Sequence, residues 1–146
     1  LGLKPTTIST NPDDILLDLK MSKSKPDSAI FMTDSTEEIK RKLSNAYCPE
    51  KIVGKNPVLE YCKYIIFESV KRMKIERPKK FGGDLELNSY GELEKLFAAG
   101  KIHPLDLKNA TAETLDKIVK PVREHFEKNK KAKELHTVVK GFNVTR

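Results

Sequence analysis

Apolar positions recur at helical spacing along most of the chain, and the helices they predict begin and end at recognisable signals. Ser35 followed by Glu38 has the spacing of a capping box, and Ile39, Leu43, Ala46 and Tyr47 fall on one face behind it. Pro49 is expected to end that helix. Asn56-Pro57 reads as an N-cap with proline at the first helical position, followed by an apolar stripe of Leu59, Cys62, Ile66 and Val70. Ser89 with Glu92 opens another helix, running through Ala99 to a stop at Gly100. His103-Pro104 starts the longest one, with Leu107, Ala110, Leu115, Ile118, Val122 and Phe126 facing inward. Pro121 lies inside that run and is expected to kink it, because its ring removes one backbone donor. A polar, Lys-rich helix over about 130–140 closes the series.

Two stretches depart from the helical period. Between Met73 and Asn88 two short runs flank Pro78 and Gly82-Gly83, which predicts a two-stranded ribbon around a glycine turn. Residues 1–33 read as irregular: a short strand over Thr6 to Thr10, a helical turn from Pro12 through Leu19, then a loop, MSKSKPDS, that contains Pro26. This stretch could not form a core by itself and looks like the edge of something larger. The expected fold class is mainly α, a helical bundle with one small two-stranded β-ribbon over 34–146, preceded by that edge at 1–33.

A chain of 146 residues can bury a sizeable core without disulfides or metals, and its two cysteines make neither a disulfide scaffold nor a zinc site. His125 and His136 are too poor in partners to suggest a metal. No apolar run is long enough for a transmembrane helix, and the first residues lack the features of a signal peptide, so a soluble cytoplasmic protein is the expectation. The net charge of +7 is unevenly placed. Up to Thr33 acids and bases cancel; Lys71 to Lys80 holds six bases and one acid, and Lys120 to Arg146 eight bases and three acids. Two such clusters suggest a polyanion, nucleic acid before membrane, although a solvated surface would carry the same run. Lys79, Lys80, Lys128 and Lys131 are the candidate phosphate contacts.

Lys20-Met21-Ser22-Lys23-Ser24 is the one motif that carries chemistry directly. It matches, letter for letter, the ATP-handling loop of class I aminoacyl-tRNA synthetases. Attack of a carboxylate on an α-phosphate builds negative charge on the departing pyrophosphate; flexible ammonium groups can close over that charge while hydroxyls donate to it. The resemblance gives Lys20 and Lys23 the catalytic part and Met21, Ser22 and Ser24 a part in binding ATP. A Ser/Lys linker would have the same composition.

The resemblance extends further. The stretches KMSKSKPDSAIFMTDSTEEIKRKLSNAYCP, RPKKFGGDLELNSYGELEKLF and GKIHPLDLKNATAETLDKIVKPVREHF, in that order, resemble the C-terminal part of archaeal or eukaryotic-type tyrosyl-tRNA synthetases. Before Leu19 the match is poor, and Ser9 stands where the family's strand would carry His. The resemblance implies that 1–33 is the C-terminal edge of a Rossmann-like catalytic domain and that 34–146 is a helical anticodon-binding domain. It implies that Phe81 and His103 stack on the first anticodon base and that Asp106 hydrogen-bonds it. Pro78 and Leu105 would line the same pocket, with Cys48 nearer the second base. Its implied partners are tRNA(Tyr), with ATP, Mg2+ and tyrosine in a whole enzyme that works as a homodimer. No tightly bound cofactor is expected in this chain, and, lacking the first ATP motif and the tyrosine pocket, it is expected not to form the adenylate alone.

Other readings stay open at this stage. Asp106, at the third position of its helix, could simply complement exposed amides there. His103 could be an N-cap, and Phe81 a core plug for the ribbon. The whole could be a stand-alone RNA-binding module with a vestigial loop, the matching part of a tryptophanyl enzyme, or a helical interaction domain.

Overall fold

The structure, a computed structural model, describes residues 2–3 and 26–142. The lysine loop at 20–24, the strand expected over Thr6 to Thr10 and the turn from Pro12 to Leu19 lie outside the described residues, as does most of the expected catalytic edge.

Among the described residues five longer helical segments and a two-stranded ribbon follow one another, with short 3-10 turns at Pro26–Ser28 and Lys79–Phe81. Helix α1 is Thr36–Ser44. Helix α2 runs in three continuous pieces, α-helical over Pro57–Tyr61, π-helical over Cys62–Ile66 and α-helical again over Phe67–Ser69. Strands β1 (Met73–Ile75) and β2 (Leu85–Leu87) pair antiparallel, with Met73 opposite Leu87 and Ile75 opposite Leu85. Helix α3 is Tyr90–Ala98, α4 is Pro104–Lys128 and α5 is Lys130–Lys140.

The caps explain the starts. Ser35 Oγ accepts the Glu38 N–H at 3.2 Å and Ser89 Oγ accepts that of Glu92 at 3.3 Å. Asn56 is buried, and its Oδ1 accepts from both Val58 and Leu59 while its amide donates to the Ile52 carbonyl. Helix α3 ends as the glycine predicted. Gly100 sits at φ +71°, its N–H reaches the Phe97 carbonyl, and the Lys101 N–H reaches that of Leu96, which is a Schellman closure.

Helix α1 stops earlier than Pro49 would require. Asn45 is already its C-cap, and the Tyr47 N–H leaves the helical ladder to donate to the Leu3 carbonyl. A tertiary hydrogen bond ends the helix before proline can. Pro121, in contrast, does not interrupt α4, which continues seven residues beyond it to Lys128.

Helix α4 is the central post, packed by α1, α2, β1 and α5. Ile39 and Leu43 of α1, Leu59, Cys62 and Ile66 of α2, Met73 and Ile75 of β1, and Leu107 and Leu115 of α4 are all buried in one cluster. The inward face of α4 fades along its length. Leu107, Ala110 and Leu115 are buried, whereas Ile118, Val122 and Phe126 are only half-buried, where α4 runs beside the largely exposed α5. Phe126 there meets the ring of His136 with centroids 5.2 Å apart. Burial pushes the Cys62 thiol up to about 12, which makes it a small hydrophobe rather than a nucleophile.

The segment entering α1 is tied down by charge. Lys42 is buried, and its Nζ contacts Asp34 Oδ2 at 2.6 Å and the Ala29 carbonyl at 3.0 Å, beneath the ring of Phe31. Arg123 of α4 donates to the Asp34 carbonyl at 2.8 Å and to Asp116 at 2.9 Å, and Thr36 also donates to Asp116. Residues 29–36 are thereby bolted to α1 and α4.

Candidate functional site

The ribbon and the start of α4 enclose a hollow of about 430 Å³. Each wall is a consequence of local sequence. On one side Pro78 leads into a single 3-10 turn, Lys79–Phe81, and the chain reverses through Gly82 at φ +98° and Gly83 at φ +71°. Those angles are open to glycine and strained for other residues. The turn is closed by the Phe81 N–H and the Gly83 N–H, both donating to the Pro78 carbonyl. With the backbone folded on itself this tightly, the Phe81 ring has no core to enter and is 61% exposed. The Nζ of Lys80 lies 5.0 Å from the centre of that ring.

The facing wall is the α3–α4 connection and the first turn of α4. His103 is the N-cap: its Nδ1 accepts the Leu105 N–H at 3.2 Å, which leaves the ring proton on Nε2. The ring is exposed all the same. Leu105 is half open to solvent and Asp106 is partly exposed. Asp106 makes no side-chain hydrogen bond or ion pair among the described residues, and it lines the hollow.

Phe81, His103, Asp106, Pro78 and Leu105 all line this hollow, as does Lys80. Five of the six candidates for an anticodon pocket therefore come together from segments about twenty residues apart. Cys48 does not join them. It is buried at 9% exposure, receives the Asn56 amide at 3.5 Å, and its thiol is pushed up by burial. Lys79 is exposed in the same turn as Phe81. Lys128 is ion-paired with Glu124 at 2.6 Å and, like Lys131, lies at the α4–α5 junction rather than in the hollow. Lys20, Met21, Ser22, Lys23 and Ser24 lie outside the described residues.

The lining also includes Glu50, Arg77, Gly100 and Lys101, none of them a candidate for the pocket on sequence grounds. Arg77 stands where the two walls meet. Its Nε donates to the Gly83 carbonyl at 2.9 Å and its Nη1 to the Lys101 carbonyl at 2.6 Å. Its own N–H donates to Asp84. The Asp84 carboxyl is held below its usual value of 3.8, first by Lys74 and then by that N–H. One signal for Arg77 was available, since it immediately precedes the Pro78 that opens the glycine turn.

The arrangement suits a flat, polar, π-faced ligand: an open aromatic ring on one side, an imidazole on the other, and the carboxylate of Asp106. Three cations, Arg77, Lys80 and Lys101, stand around it. Among the described residues no cluster of three or more His, Cys, Asp and Glu is placed to hold a metal, and no helix is long and apolar enough to cross a membrane.

Comparison with known proteins identifies the family. Residues 13–120 match the family model of class I tRNA synthetases (W and Y). The chain is 50% identical over 123 residues to the tyrosine–tRNA ligase of Saccharolobus solfataricus and 55% identical over the same length to that of Thermococcus kodakarensis. These alignments take in 84% of this chain but only 34% and 33% of the relatives, so the chain spans about a third of their length. Among solved structures, tyrosyl-tRNA synthetase from Pyrococcus horikoshii, complexed with L-tyrosine, superposes with a TM-score of 0.79 at 45% identity. That match covers 92% of this chain and 38% of the other. The enzyme from Aeropyrum pernix gives the same TM-score at 37% identity, covering 97% of this chain and 37% of its own.

Proposed function

This chain belongs to the class I tRNA synthetase family of the tryptophan and tyrosine enzymes, and from that premise we propose that its hollow reads the first anticodon base of tRNA(Tyr) for a tyrosine–tRNA ligase. The observation that carries the reading is the convergence of Phe81, His103 and Asp106 on one exposed, cation-rimmed hollow. A guanine presents its N1 and N2 donors side by side, and one carboxylate can accept both; adenine offers no such pair. Asp106 takes that part. Phe81 and His103 sandwich the base, a contribution of about 1–3 kcal/mol per stacked base. Pro78 and Leu105 supply apolar wall, while Lys79 and Lys80 meet neighbouring phosphates and Lys128 and Lys131 do so further along the RNA.

Tyrosine as the amino acid follows from the relatives, whose curated names are tyrosine–tRNA ligase. The whole enzyme would join tyrosine to tRNA through a tyrosyl-adenylate, using ATP with Mg2+, as a cytoplasmic homodimer. Lys20 and Lys23 would neutralise the departing pyrophosphate, assisted by Ser22 and Ser24. In that enzyme the helical bundle is the part that checks which tRNA has arrived.

The test is binding of this chain to two anticodon stem-loop RNAs that differ only in guanine or adenine at the first anticodon position. The unaltered chain should prefer guanine by about tenfold or more, the effect of one well-made base contact. Asp106→Ala should erase the preference while leaving affinity for the adenine loop nearly unchanged. Equal losses for both RNAs would refute the base-reading role.

A further inference from the structure

The two walls of the hollow belong to segments with no backbone pairing to one another. Phe81 rides on the ribbon turn, and His103 and Asp106 ride on the loop and first turn that follow Gly100. A base held between two rings requires those walls at a fixed separation. Something must set that gap, and the Arg77 guanidinium bridges it: Nε is bonded to Gly83, two residues beyond Phe81, and Nη1 to Lys101, two residues before His103.

We propose that Arg77 is a positioning residue for base recognition, a clamp that fixes the width of the hollow by joining the ribbon turn to the entrance of α4. The inference rests on the base-reading function proposed above. Three observations support it. The partners are main-chain carbonyls, so the clamp acts directly on backbone position. The planar fork of arginine can address two acceptors at once in fixed directions, which an ammonium on a flexible stem cannot. The turn also leaves room for it, since a Cβ on Gly82 would lie 3.4 Å from Arg77 Nη2. The base of the clamp is itself anchored, as the Arg77 N–H is bonded to Asp84 and Asp84 to Lys74 of β1.

A clamp and a phosphate contact predict different results. Arg77→Lys keeps the charge and removes the fork; Arg77→Ala removes both. Each variant of this chain is titrated with the guanine and adenine stem-loops, and its thermal melting is recorded. A clamp requires the guanine preference to fall by about tenfold in Arg77→Lys, as in Arg77→Ala, beyond any loss of stacking that both loops share. A uniform loss for both loops in Arg77→Ala that Arg77→Lys restores would place Arg77 on the phosphates and overturn the proposal. Retention of the preference by Arg77→Lys would overturn it as well. Should Arg77→Ala fail to melt cooperatively, the Lys variant decides alone. If the unaltered chain shows no preference for guanine, the base-reading function itself fails and the clamp falls with it; loss of the clamp alone leaves the unaltered chain selective.

Discussion

Two cationic side chains fasten this molecule at different depths. Lys42 is 3% exposed and sits over Asp34, itself 12% exposed, where they bolt residues 29–36 to α1. Arg77 is half-buried at the lip of the hollow and reaches carbonyls 6 and 24 residues further along. A cation buried against one carboxylate is stabilising only as long as both partners remain, because removing either leaves a desolvated charge. A cation at the water's edge loses little when its partners go, since solvent takes their place. The first arrangement therefore sets whether the domain folds, and the second sets the shape of what it recognises. Stability and specificity are carried by different cations.

That division can be broken most forcefully at the buried end. Lys42→Ala leaves Asp34 desolvated with its charge uncompensated by Lys42, and should lower the unfolding free energy by about 3–5 kcal/mol in urea titrations. Binding by the molecules that remain folded should still prefer guanine. Phe97→Ala, in the buried core, should cost about 3–4 kcal/mol by opening a cavity, again with the preference intact. A lost preference in either variant, measured where the protein is still folded, would mean that the two regions are not separable.

Gly100→Ala tests the shared ground between them. Its φ of +71° is strained for alanine, and the added Cβ would approach Lys51 Cε to 2.5 Å. The Lys51 side chain can swing away, so the backbone term dominates, and a loss of about 1 kcal/mol is expected from thermal melting. Because Gly100 also lines the hollow, a modest drop in guanine preference should accompany it.

The smallest effect is a pH dependence. Asp84 is exposed, and its carboxyl is held below its usual value of 3.8 by Lys74 and then by the Arg77 N–H. A carboxyl depressed in the folded state adds stability that is complete above the unfolded value and is lost as pH falls through the folded one. Acidification below 3.8 should therefore loosen the ribbon, and Asp84→Asn should flatten that part of the melting-temperature profile while changing little at pH 7. An unchanged profile in the variant would remove Asp84 from the account of the turn.

Much of the helical framework was legible in the chain because its signals are local. Ser35, Asn56, Ser89 and His103 act within a few residues of themselves, and each caps the helix that its position predicts. The ribbon was legible for the same reason, through the glycines that allow its turn. What escaped was decided at a distance. Helix α1 ends at Ser44 because of a hydrogen bond to Leu3, and Pro49 gives no hint of it. The π-helical turn at Cys62–Ile66 has no periodic signature; Cys62 there contacts Thr111 of α4 at 3.3 Å.

The hollow divides in the same manner. Phe81, His103 and Asp106 were singled out by family resemblance, since each residue alone has an ordinary structural explanation. His103 indeed serves as an N-cap, and it does so while leaving its ring exposed to the hollow. Arg77 escaped because its partners are carbonyl groups, which carry no letter in the sequence.

The central claim is that this hollow holds the first anticodon base, and a crystal structure of the chain bound to a guanine-bearing anticodon stem-loop tests it most directly. The account predicts that base between the rings of Phe81 and His103, with its N1 and N2 each about 2.7–3.2 Å from an Asp106 oxygen. A structure in which the first anticodon base lies outside the hollow, with Asp106 facing water, would contradict it.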